Sequence, residues 1–448
     1  MSADQSKIKI NVWLTDPARW ATNEADVAGS AAAEFNRMHP EYLVEIDLHD
    51  FQTMPAEVAA AVEQGEPPDI AEYHHTVTRA ALDSLGRDGT PLFTPVERAV
   101  AGRTEILGHP VVIGDMLPAA RDFFRYDGEL TCMPRTSSTV VMYANLDILA
   151  RARIAEPPRT WREVTAACQA VRKLPDGPEY GIAWPNCYLF FLQSLAQQGG
   201  LLADHDNGRS GRAEKVDLAS TEMLAYVRWW QQLHRDGGYL YTGQPVDFPG
   251  CFTAFEEQRV AMVISSSVDA SHIFGRGERH GFRVKVGPMP HNDEVPLAGN
   301  MTGGFSMWMA AGLDPARRDG ALAFMQHLNS PRHAAEWARR HHRIPLTRAA
   351  VEILDRDGWY AENPDLRVGG DQLEAADGSP AALGPLLGGH AGIVGELTAA
   401  MHDVLTAGAN PADRFAEANE RAQAILDAYH AHCDGPPRRT PSDLAVSI

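Results

Sequence analysis

The sequence predicts an α/β protein in two lobes, and three observations carry that reading. Residues 8–73 run strand, helix, strand, helix, strand, an order that calls for a parallel sheet covered by helices. At 448 residues the chain exceeds what one core usually serves, so two lobes of roughly 150 to 250 residues each are expected. A composition of 44% hydrophobic and 22% charged residues supplies enough apolar material for both.

Residues 8–13 alternate as a strand, and residues 24–38 place Ala25, Ala31, Ala32, Phe35 and Met38 on one helical face that Pro40 ends. A strand over 43–48, a helix over 55–63, a turn at 65–68 and a strand over 69–73 follow. Ligands of such sheets sit at the carboxyl ends of the strands, where Trp13 to Asp16, Asp50, Phe51, Tyr73, His74 and His75 fall. In residues 133–149 the hydroxyls of Ser137, Ser138 and Thr139 precede the β-favouring run Val140 to Tyr143 and then a helix. That cluster reads equally as a plain turn or as the ligand-facing start of a strand crossing between lobes.

Further on, helices are expected over 161–174, 188–198, 221–235 and 252–258, and strands over 180–184, 260–264, 282–286 and 305–309. Gly199 and Gly200 stop the second of these helices, and 204–215 is a polar loop. Trp229 and Trp230 share helical spacing with Leu224, Val227 and Leu233, which assigns them to a core. Helices follow over 315–329, 332–340 and 347–354. Residues 361–382 look irregular, two helices lie within 393–431, and the Pro-, Arg- and Ser-rich residues 436–448 read as a disordered tail.

A net charge of −19 argues against a nucleic-acid or anionic-membrane partner, because phosphate surfaces repel such a field. Cys132, Cys168, Cys187, Cys251 and Cys433 are odd in number and form no C-x-x-C, which suits a reducing compartment or incidental free thiols better than a disulfide framework. The polar start carries no signal h-region, and no run of about 18 apolar residues exists. The chain is thus expected to be cytoplasmic if Met1 is its native start, or extracytoplasmic, lipid-anchored or periplasmic, if a signal has been trimmed.

No nucleotide fingerprint, P-loop or serine-hydrolase elbow is present, so no cofactor is expected. Among eighteen histidines, the pairs His74-His75 and His341-His342 are adjacent, and neighbours in a strand point to opposite faces. No metal site is expected from that spacing.

Six segments occur in an order that resembles a known family: Ala33 to Tyr42 (AEFNRMHPEY), Gly65 to Ile70 (GEPPDI), Ser137 to Asp147 (SSTVVMYANLD), Pro158 to Glu163 (PRTWRE), Phe255 to Met262 (FEEQRVAM) and Pro345 to Ala350 (PLTRAA). Together they resemble the extracellular solute-binding proteins of carbohydrate ABC importers, most closely the sn-glycerol-3-phosphate-binding branch, over nearly the whole chain. The resemblance implies a type II periplasmic-binding-protein fold: two α/β lobes, a hinge and an interlobe ligand cleft. It implies a first lobe of residues 1–142 with 291–340 and a second of 143–290 with 341–435, with Val140 to Tyr143 as the hinge strand.

Trp13, Asp16, Phe51, Tyr73, His74, Ser137, Ser138, Trp184, Ser266, Ser267, Gly303, Gly304 and Arg343 are the ligand-binding candidates. Phe51 stands where the branch has Tyr, His74 where it has an acidic residue, Arg343 where it has Tyr, and Leu386 where it has the phosphate-clamping Arg. Loss of that bidentate donor argues against phosphate recognition of the family's kind.

Two functions follow. One is a monomeric binding protein that captures a sugar, polyol or glycerol-derived compound and, if exported, hands it to an ABC permease. The other is a cytoplasmic enzyme on the same fold, with His74, His75, His342 and Arg343 as acid–base or electrostatic groups.

Overall fold

The computed structural model describes residues 7–16 and 24–434. Its main strands, in chain order, are β1 (Ile8–Thr15), β2 (Tyr42–His49), β3 (Ile70–His74), β4 (Val140–Asn145), β5 (Tyr180–Ala183), β6 (Tyr239–Leu240), β7 (Val260–Ser266), β8 (Val284–Pro288) and β9 (Phe305–Ala310). They form two sheets. In the first the order is β2-β1-β3-β9, with the short strands Phe93–Thr94 and Met133–Pro134 also paired to β9. In the second it is β6-β5-β7-β4-β8.

The first three strands pair in parallel, as their alternation with the helices Glu24–Met38 and Met54–Gln64 requires. Ile10, Val12 and Leu14 of β1 are fully buried, so the alternating side of that strand faces the core. β9 then returns antiparallel to β3, with Phe305 opposite His74 and Trp308 opposite Ala71. The second sheet is mixed: β5 runs parallel to β6 and β7, and β4 antiparallel to β7 and β8.

One expectation is corrected by β4. All six of its residues are buried and it pairs on both edges, so it is a central strand of the second lobe and not the crossing. A continuous apolar run such as Val140 to Tyr143 is the pattern of a strand covered on both faces. The chain crosses just before it, through Arg135 to Thr139, and crosses back through Met301 to Gly304. These two segments bond directly: Ser138 N–H donates to Gly303 O at 3.0 Å, and Gly303 N–H to Ser138 O at 2.7 Å. A third segment lies on the other side, with Ile344 bridged to Ser137.

Three further elements depart from expectation. Helix Arg348–Arg356, assigned to the second lobe, shares an apolar cluster with helix Pro331–His341 through Ala334, Ala335, Ala338, Ala350 and Leu354. Residues 361–382 are not irregular throughout, since Val368–Glu374 is helical and buries Leu373. Helix Ala270–His280 had no sequence assignment, because Gly275 and Gly277 weaken its helical pattern. The tail at 436–448 lies outside the described residues. No helix among the described residues is long and apolar enough to cross a membrane. All five cysteines are free thiols.

Candidate ligand-binding cleft

A cavity of about 460 Å³ opens between the two sheets, and its floor is the pair of bonded crossings. Ser138, Thr139, Gly303 and Gly304 belong to that floor. Gly303 and Gly304 are there because backbone must pass close to backbone. A Cβ on Gly304 would stand 2.2 Å from the Thr136 carbonyl oxygen, and its φ of +133° suits glycine.

The first lobe contributes His74 and His75 from the end of β3 and Phe305 from the start of β9. His74 Nδ1 meets Thr76 Oγ1 at 2.8 Å, and its ring lies 4.2 Å from that of His75. His75 N–H donates to Gly304 O at 2.9 Å, and Gly304 N–H donates back to His75 Nδ1 at 3.3 Å. With Nδ1 accepting, the neutral ring carries its proton on Nε2. That atom is buried and has no protein partner. Burial pushes the His75 pKa down to about 4 and that of His390, its neighbour, down to about 3; His74 is likewise held well below its ordinary value. At neutral pH His75, on the cleft wall, is therefore a neutral imidazole whose Nε2 is left without a protein partner.

The second lobe supplies the opposite wall. Tyr188 and Leu189 open the apolar helix Tyr188–Gln197, and Phe248 and Phe252 sit one turn apart on helix Phe248–Glu256. Gln193 reaches the floor, donating to Met301 O at 2.7 Å and accepting from Met301 N–H and Asn300 Nδ2 at 3.2 Å each. Asp269 accepts from Ser265 Oγ at 2.5 Å, and burial pushes its carboxyl pKa up against the pull of Arg343. Arg343 itself donates to Val268 O at 3.3 Å.

Of the sequence candidates, His74, Ser138, Ser266, Gly303, Gly304 and Arg343 come together on the cavity wall, with His75. The others lie elsewhere. Trp184 is fully buried in the second-lobe core, stacked on Trp229 at 5.7 Å and against Tyr239 at 4.4 Å. Tyr73 faces the first-lobe core, beside Phe93 and Trp308. Phe51 is buried behind His74 and Phe305, with rings 5.7 and 5.9 Å away. Trp13 stacks on His49 at 4.1 Å, and Asp16 follows β1 with its N–H on His49 O.

Ser137 faces the reverse side of the crossing, where its hydroxyl meets Thr302 Oγ1 at 2.9 Å. Ser267 holds the floor from behind, its Oγ accepting from Thr139 N–H at 3.2 Å. His342, in the left-handed conformation after its helix, turns Nδ1 to Ser271 Oγ at 2.8 Å and is not on the cavity wall. Leu386 is buried.

Sequence reasoning missed Tyr188, Phe248, Phe252, Gln193 and Asp269. An apolar residue at helical spacing carries the same pattern whether it faces a core or a cleft. Asp269, following three serines at a strand end, was the one with a readable sign.

A family model described as "Bacterial extracellular solute-binding protein" matches residues 30–368. The sn-glycerol-3-phosphate-binding periplasmic protein UgpB of Pectobacterium atrosepticum is 26% identical over 93% of this chain and 92% of its own. Among solved structures, a cyclic alpha-maltosyl-1,6-maltose binding protein from Arthrobacter globiformis superposes with a TM-score of 0.76 at 17% identity, covering 94% of this chain and 100% of the other. UgpB from Mycobacterium tuberculosis, in complex with glycerophosphocholine, superposes with a TM-score of 0.72 at 18% identity, covering 94% and 99%.

Proposed function

From the premise that the chain belongs to the bacterial extracellular solute-binding protein family, we propose that it captures a polar small molecule between its lobes for delivery to an ABC importer. The ligand is a sugar, polyol or glycerol-derived compound. The observation that carries this reading is the place of the cavity. It lies on the segments that join the lobes and takes walls from both, so a bound molecule is gripped more fully as the lobes rotate about the crossings.

Charge narrows the ligand. The histidines on the wall are neutral, and the acid and the base there, Asp269 and Arg343, offset each other. Such a cleft favours an uncharged or zwitterionic compound over a phosphate dianion, in keeping with Leu386 in place of a clamping arginine. The His75 Nε2 donor would take a ligand hydroxyl or ether oxygen, and Tyr188, Phe248 and Phe252 would cover its apolar face.

The reading places the protein outside the cytoplasm, as a monomer without nucleic-acid partners. The enzyme alternative draws less support, because His342 bonds Ser271 and does not line the cavity that His74, His75 and Arg343 share. Calorimetric titration with a panel of oligosaccharides, polyols, glycerophosphocholine and sn-glycerol-3-phosphate tests it, with chromatography of the recovered compounds. We expect a neutral or zwitterionic member to bind at about 1 μM or tighter and to return intact. Silence from every member, or conversion of any of them, would reject the proposal.

A further inference from the structure

Away from the cleft, the outer helices of the first lobe gather side chains that no part of the binding reading uses. Glu34 comes from helix Glu24–Met38, His327 from helix Pro315–Leu328 and His333 from helix Pro331–His341. One ring nitrogen of each histidine and one carboxylate oxygen lie within 4.8 Å of one another. Both histidines are buried.

The outer hydrogen bonds of this group are those of metal ligands. His327 Nε2 sits 3.1 Å from the Ala31 carbonyl, and His333 Nδ1 sits 2.8 Å from the His327 carbonyl. Each ring donates one N–H to backbone, which orients it and, in the neutral tautomer, leaves the other nitrogen free to ligate. His333 Nε2 stands 3.3 Å from Glu34 Oε2, so ring nitrogen and carboxylate converge on one point. A cation already bridges them. Arg332 Nη2 donates to Glu34 Oε1 at 2.5 Å and to His333 Nε2 at 2.9 Å, from a side chain that is 60% exposed and can swing away.

We propose that Glu34, His327 and His333 form a site for a borderline divalent cation such as Zn²⁺, with Arg332 as its built-in competitor. Two imidazoles and one carboxylate with an open fourth position make a zinc-type donor set, and they offer too few oxygens for Ca²⁺ or Mg²⁺. The ion would tie three helices that otherwise meet through apolar contacts, Arg332 and the two ring-to-carbonyl bonds. Motif spacing does not reveal the site, because Glu34 and His333 are 299 positions apart. The more open group Asp204, His205 and Glu214 has a single histidine and serves as a control.

The test is calorimetric titration of the full chain with ZnCl₂, alongside its thermal midpoint and MgCl₂ as a second ion. We expect one strong zinc site, a raised midpoint and no response to MgCl₂. Glu34→Gln should weaken zinc by about 10-fold or more, and Arg332→Ala should tighten it by about 10-fold, because the rival cation is gone. Far-ultraviolet dichroism of both variants without metal checks that they fold. His205→Ala should leave the strong site unchanged. Absence of a strong site, loss of it in His205→Ala, or zinc affinity unmoved by both Glu34→Gln and Arg332→Ala would overturn the assignment.

Discussion

Adding a single methyl group at either of two adjacent glycines should have opposite consequences, and the contrast tests the account of the crossing. At Gly304 the added Cβ meets the Thr136 carbonyl oxygen at 2.2 Å and its carbon at 2.8 Å, both backbone atoms of the neighbouring segment. An alanine at that φ of +133° also costs about 1–3 kcal/mol in backbone strain. To escape the clash the segments must part, breaking the bonds from Thr136 N–H to Phe305 O and from Phe305 N–H to Thr136 Oγ1, at about 1 kcal/mol each. Gly304→Ala should therefore lose about 3–5 kcal/mol, a large part of the ~5–15 kcal/mol that holds a typical domain.

At Gly303 the nearest atoms are Ser138 Oγ at 3.2 Å and His75 Cε1 at 3.3 Å, side-chain atoms that can yield. Gly303→Ala should keep its stability within about 1 kcal/mol, yet narrow the cleft floor and weaken the best ligand of the panel about tenfold. Urea unfolding with linear extrapolation measures the first effect and calorimetry the second. A Gly304→Ala protein as stable as the parent, or a Gly303→Ala protein that unfolds first, would refute this reasoning about the floor.

Acid should destabilise the protein earlier than its carboxylates alone require. His75 and His390 titrate in the folded state at about 4 and 3, against an unfolded value near 6.5, so the unfolded chain binds more protons in between. Their contribution is complete above about pH 6.5 and is lost as pH falls toward 4, on the order of 3 kcal/mol for His75. Asp269, raised by burial, works in the opposite sense. A urea midpoint that stays flat from pH 7 to 4.5 would contradict this. Trp184→Ala should cost about 3–5 kcal/mol through its cavity while leaving ligand affinity at low temperature within about twofold. If affinity falls and stability does not, Trp184 belongs to the cleft after all.

The elements that were legible are those whose periodicity is undiluted. Helix Thr221–Arg235 has its expected bounds because buried Val227, Trp230 and Leu233 and the Ser220 cap all agree. Helix Ala270–His280 escaped because Gly275 and Gly277 lower its helix propensity, although Ala270, Ile273 and Gly277 share a buried face. In the site, hydroxyls and glycines that precede or follow strands were readable as a group, since crossings need small residues and bonding partners. Which side each would face was not readable. Ser137 and Ser138 are neighbours with the same chemistry, and the bridges to Ile344 and Gly303 send them to opposite sides of the crossing. Trp184 shows the same limit: a positional match with a family says where a residue lies along the chain and not whether a neighbour such as Trp229 has claimed its ring.

The return of β9 beside β3 means that neither lobe is a contiguous piece of chain. The second sheet has all its strands by Pro288, but the first waits for Ala310, and the apolar face around Phe191 and Trp230 is completed by the last helix, through Phe415. During synthesis, then, the middle of the sequence can close its sheet before the beginning can. A chain cut short anywhere before that helix leaves an open aromatic surface, so the lobe whose sheet closes first is the one whose core is completed last.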